Sequence, residues 1–131
     1  QARYVEQPTA QASFSIQARN LDRLHREGVT IALGTDGNSS WGSHLELADM
    51  VATGMTPHEV IVAATSNSAE FLGLSQLGSI AQGKDADFVI LNANPLEDIR
   101  NTRQIESVYI RGVEVDRAGL SDRWLNSATG E

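Results

Sequence analysis

Cysteine is absent from this 131-residue chain, so it has neither disulfides nor thiolate metal sites. Aromatic residues are scarce, at 5%, and a core must therefore be built mainly from aliphatic side chains. Positive charge is also scarce. Ten Lys and Arg stand against seventeen Asp and Glu, a formal net charge of −7, and nucleic acid or an anionic membrane would each require a basic face. No apolar run reaches the roughly 18 residues that span a bilayer, and there is no signal-peptide core. An initiating Met is missing as well. The chain begins at Gln1, which leads us to expect a processed or cut piece, and the cytoplasm is the expected compartment because no export signal is visible.

The residues present are organised around Gly28 to Gly37, Gly-Val-Thr-Ile-Ala-Leu-Gly-Thr-Asp-Gly. Val29 to Leu33 run apolar or β-branched without alternation, which predicts a parallel strand covered on both faces. The run breaks into small residues around Asp36. Ligands in α/β folds gather at the carboxyl ends of strands, so Asp36 is the first candidate for chemistry. The alternative is a turn Asp bonded to its own backbone.

Upstream, residues 1–16 read as a connector with a short helical turn early on. Ala18, Leu21 and Leu24 predict a helix over 17–27 that Gly28 stops. Downstream, Gly37 to Gly42 read as an exposed loop. Ser43 and Glu46 fit a capping box, opening a helix that Gly54 closes, and Thr56-Pro57-His58-Glu59 fits a second one. A third helix start is expected at Asn67, with Gly73 as its stop. After Leu74 short β-rich runs take over. Ala86 to Leu91 predicts a mostly buried strand, and Ile105–Ile110 with Val113–Val115 predict a hairpin across Arg111-Gly112. The tail from Ala118 is weakly patterned, with only Leu120, Trp124 and Leu125 to bury. The expected modules are 1–74 and 75–131.

Gly34-Thr35-Asp36-Gly37 with His44-x-Glu46-Leu47 resembles the last barrel strand of the metal-dependent amidohydrolases and the residues just beyond it. Gly54-Met55-Thr56-Pro57-x-Glu59, with Ala63-Ala64-Thr65-x-Asn67-x-Ala69-x-x-Leu72-Gly73, resembles the next helices. Gly78-x-Ile80-x-x-Gly83-Lys84-x-Ala86-Asp87-x-Val89-x-Leu91, then Asn94-Pro95-Leu96 and Val108-x-x-x-Gly112, is similar to the family's small β-sandwich. The nearest flavour is the imidazolonepropionase-like group, which includes Xaa-Pro dipeptidases.

The resemblance implies an α/β fold, the C-terminal part of a (β/α)8 TIM barrel followed by part of a β-sandwich. It also implies hydrolysis of a C–N bond in an amide, cyclic amide or dipeptide by a metal-activated water, with zinc as the expected ion. Asp36 matches the family's last metal-binding Asp and is the expected ligand and proton shuttle. The family's His-x-His pair has no counterpart here, and a whole barrel needs about 250 residues, so this is expected to be part of an enzyme, inactive by itself. Asn38 and His44 are candidate substrate contacts, and Trp41 a candidate pocket-lining residue. The alternative for His44, and the preferred one, is a solvated or cap-assisting residue in a first helical turn. His25 and His58 are expected at the surface. Lys84 is expected to pair with Asp85 or Asp87. The expected partners are a small amide or peptide substrate and either a second copy or the N-terminal remainder of the enzyme, with neither nucleic acid nor membrane. The rival reading is a non-catalytic assembly or dimerisation module.

Overall fold

The structure is a computed structural model that describes residues 8–35 and 41–129, with side chains over 14–35 and 41–125. It is a mixed α/β chain in which a helical first part is followed by a small antiparallel sheet. Helix α1 (Pro8–Arg26) begins nine residues earlier than the pattern at 17 predicts, replacing much of the expected connector. Ala18 and Leu21 turn inward, while Leu24 remains 47% exposed.

Glycine stops the three helical runs that precede the sheet, as expected. Gly28 sits at φ +78° with its N–H bonded to His25 O, and the next N–H, from Val29, reaches Leu24 O. These paired backward bonds satisfy carbonyls that the helix end leaves open. Gly54 and Gly73 repeat the arrangement, with Met55 N bonded to Met50 O and Leu74 N to Ala69 O.

Helix α2 (Gly42–Ala52) corrects the first expected capping box. Trp41 occupies the cap position in a near-helical conformation (φ −102°, ψ −1°), which draws Ser43 into the first turn, where it cannot serve as the cap. The second capping box is present in full. Thr56 Oγ1 accepts from Glu59 N, and Glu59 Oε2 accepts from both Thr56 N and Thr56 Oγ1, the last two at 2.7 Å. It opens α3 (Pro57–Val62), which continues through a π-helical turn (Ala63–Asn67) into α4 (Ser68–Phe71). Asn67 therefore does not start a helix. It lies inside one, and its side chain is engaged elsewhere.

The segment 29–35 forms no ladder, in contrast to the expected parallel strand. A parallel strand is completed by its neighbours, and among the described residues none lies beside it. It docks instead on the π-turn. The core combines Leu47, Met50, Met55, Val60, Ala63 and Ile99, with Leu21, Ile31 and Leu33 packed around it. Val60 is fully buried.

The sheet has the order β1-β2-β3, with β1 (Phe88–Leu91), β2 (Ile105–Ile110) and β3 (Val113–Glu114) all antiparallel. Phe88 pairs with Tyr109, their rings stacked 4.7 Å apart. The expected hairpin is present, with Arg111 at φ +51° and Gly112 at φ +77°, both left-handed as the twist of a two-residue link requires. Arg111 tolerates this conformation because Asp87 Oδ1 accepts its backbone N–H at 2.6 Å. Strand β1 is less buried than expected. Val89 is half exposed, because three strands alone leave a sheet face open. Among the described residues Lys84 forms no ion pair with Asp85 or Asp87, and its Nζ donates instead to Leu77 O at 3.2 Å.

Before β2, a 3-10 helix (Ile99–Arg103) delivers Ile99 to the core and Thr102 to α2. Asp98 starts it, accepting from Arg100 N and gripping the Arg100 guanidinium with both carboxylate oxygens. The weakly patterned tail is helix α5 (Arg117–Thr129), on which Leu120, Trp124 and Leu125 are all exposed.

Candidate functional site

Asp36 and Asn38 lie outside the described residues. Their approach does not. The segment that leads to Asp36 is held at its backbone by the helical run opposite. Asn67 Nδ2 donates to Ile31 O at 2.8 Å. The Leu33 N–H points between Ala63 O and Ser68 Oγ, 3.2 Å from each. Ser68 Oγ in turn donates to Ala63 O at 2.7 Å. Loop backbone rarely stays buried without such partners.

Later in the sequence than Asp36, the N-terminal end of α2 carries a second cluster. His44 Nδ1 lies 3.0 Å from Thr102 Oγ1, and the Thr102 hydroxyl donates its proton to Ile99 O at 2.8 Å. With that proton committed, Nδ1 must be the donor, and the neutral ring keeps its basic lone pair on Nε2. Burial pushes the His44 pKa below its ordinary value, and the positive charge of Arg103 pushes it the same way. At neutral pH His44 is therefore an uncharged imidazole of fixed tautomer. The Trp41 ring lies 5.8 Å from the His44 ring, and the Arg103 guanidinium sits 6.0 Å from the Trp41 ring centre. His44 is thus only partly solvated, with its ring held at Thr102. It is tied to the C-terminal half of the chain.

The other two histidines line a separate cleft of about 290 Å³ that also includes Val29, Ile31, Glu59 and Asn67. His25 is not a plain surface residue, since its Nε2 meets Glu59 Oε1 at 3.1 Å and joins α1 to α3. His58 is exposed, as expected. Glu59 titrates below the usual carboxylate range, first through the Thr56 hydroxyl, then the Thr56 N–H, with a smaller contribution from His25. Among the described residues no three or more His, Asp or Glu side chains converge on a point that could hold a metal. The described part alone does not fit such an ion.

The arrangement of a glycine-ended helix, a short docked segment leading to Asp36 and an α2 start beyond it has counterparts. The model of the Amidohydrolase family matches residues 2–115. The chain belongs to the amidohydrolase family. Its similarity to the ochratoxinase of Aspergillus niger is 42% identity over 86 residues, covering 63% of this chain and 18% of that protein. The imidazolonepropionase of Deinococcus radiodurans is 34% identical over 101 residues, covering 71% of this chain and 25% of that one. A crystal structure of an Xaa-Pro dipeptidase with methionine bound in its active site superposes with a TM-score of 0.70 at 32% identity, over 75% of this chain and 25% of that one. The expected kinship with imidazolonepropionases and Xaa-Pro dipeptidases is borne out. This amidohydrolase chain spans about a fifth to a quarter of the length of the curated relatives it matches.

Three residues that hold these clusters together, Asn67, Ser68 and Thr102, carry little signal in the sequence. Asn67 has the local pattern of a helix start. Nothing near Ser68 or Thr102 separates a cross-chain hydrogen bond from an ordinary surface hydroxyl.

Proposed function

We propose that this chain is the C-terminal part of a metal-dependent amidohydrolase that cleaves a C–N bond in a small amide, cyclic amide or dipeptide. The family match over residues 2–115 carries this reading. Asp36 is its central residue, a carboxylate at the end of the last barrel segment that can ligate a cation or take a proton. The ion, which we expect to be zinc, supplies a bound water acidic enough to ionise near neutrality. The other ligands come from outside these residues. Asn38 and His44 are proposed to contact substrate, with neutral His44 offering Nε2 as an acceptor. The two parts proposed are residues 1–74, contributing to the barrel, and 75–131, contributing to the sandwich.

Surface area supports the view that the chain works against further protein. It exposes 10212 Å², against about 6,700 Å² expected for a compact protein of 14.1 kDa. Phe71, Ile80 and Val113 are each at least 70% exposed. The same observation favours a second reading, in which a second copy covers this surface and the chain serves assembly alone. Hydrolysis separates the two. The complete enzyme, incubated with N-acylated amino acids and Xaa-Pro dipeptides, is expected to release amine and to lose that activity to a chelator. Absence of hydrolysis across such a panel, with a stable dimer of this chain, would favour assembly.

A further inference from the structure

Given the role proposed for Asp36, on which this reading rests, the helical run opposite Ile31 and Leu33 has a task of its own. We infer that Asn67 and Ser68 are positioning residues, and that the π-turn Ala63–Asn67 locks the segment 31–33 in one register. Four observations converge here. First, the helical run from Pro57 to Phe71 widens at one place only, the π-turn, directly opposite Ile31 and Leu33. Inserted π-turns of this kind recur at functional sites. Second, the widening leaves Ala63 O able to accept from two donors outside the usual helical ladder, Leu33 N–H and Ser68 Oγ. Third, the Asn67 amide reaches Ile31 O, so bonds fall on alternate residues of the segment and fix which side chains face the helix. Ile31 and Leu33 pack on the core. Fourth, Gly78 packs closely against this run. A Cβ there would come within 2.6 Å of Ala69 Cβ and 2.9 Å of Thr65 O and Ser66 Cα, so only glycine fits beside the π-turn.

A slip of one residue in such a segment would turn every side chain to the opposite face. Asp36 comes three residues after Leu33, so the clamp sets the register from which the carboxylate departs. Asn67 and Ser68 act through Asp36 and are not themselves placed on substrate.

The test uses the complete enzyme and two readouts. Amide hydrogen exchange at Leu33 is compared in the wild type, Asn67→Ala, Ser68→Ala and the conservative Ser68→Thr. Kinetics on an Xaa-Pro dipeptide or N-acylated amino acid are measured for the same variants, alone and with Asp36→Asn. We expect Leu33 to exchange at least about tenfold faster in both alanine variants. We expect kcat to fall about 10- to 100-fold with KM within about twofold, the range typical of residues that orient a reacting group. Ser68→Thr should restore both, and in the Asp36→Asn background the alanine changes should cost nothing further. Unchanged Leu33 exchange, or losses that multiply with Asp36→Asn, overturns the inference. A wild type that hydrolyses these substrates with kcat untouched by Asn67→Ala overturns the inference alone. A wild type that hydrolyses none of them overturns the functional reading and the positioning role together, even where Leu33 exchange still depends on Asn67.

Discussion

His44 shows how much of a residue's character depends on partners far away in the chain. Its ring is held by Thr102, 58 positions later, and is kept neutral by burial and by Arg103. The consequence for stability has a definite sign. Below about pH 6.5 the unfolded chain binds a proton at this position that the folded chain resists, so stability falls as the pH drops toward the lowered folded-state pKa. Replacing His44 by Gln should flatten that slope. Thermal midpoints at pH 7.5 and 5.5 check it, with equal slopes in both proteins as the contrary result. Thr56 gives a simpler case. Thr56→Ala removes one half of a complete capping box and should cost about 1 kcal/mol in urea unfolding, while Thr56→Ser should be near neutral. The Thr56 box is legible in the sequence because both partners lie within four residues. The His44 contact is not, since nothing near residue 44 specifies a partner at 102.

Elements are legible where their ends are local. Gly28, Gly54 and Gly73 stop helices as their positions imply, and Arg111-Gly112 turns the hairpin. The segment 29–33 has the composition of a strand, yet a ladder is a property of two segments, and among the described residues it has a helical partner instead. Helix α5 is hidden because its exposed Leu120, Trp124 and Leu125 give no periodic buried face. The π-turn leaves no trace at all, because inserting a residue into a helix makes no compositional mark. Glycine substitutions probe this scale. Gly78→Ala would force a Cβ into Ala69 and the Thr65–Ser66 backbone at φ +81°, and should destabilise by about 3 kcal/mol or more. Gly28→Ala has the same sign of φ but open space around it, so about 1 kcal/mol is expected. The reverse order in chemical denaturation would contradict the packing described around the π-turn.

At the scale of the molecule, the chain is an amidohydrolase segment with more exposed surface than a compact body of its mass has. Family membership is legible because three motifs occur in order, each carried by residues that end or begin elements. The metal set is not, because the described residues hold no cluster that could form it. No helix among them is long and apolar enough to cross a membrane. Taken alone, the 131-residue chain should bind zinc no more tightly than an ordinary surface carboxylate does, which titration calorimetry would check. The most direct measurement of the role assigned to Asp36 is turnover and metal content of the complete enzyme, with Asp36→Asn beside the wild type. C–N hydrolysis is expected of the wild type, with a loss of at least about a hundredfold in kcat and a lower content of bound divalent ion in the variant. A variant that keeps both its metal and its rate would contradict that role.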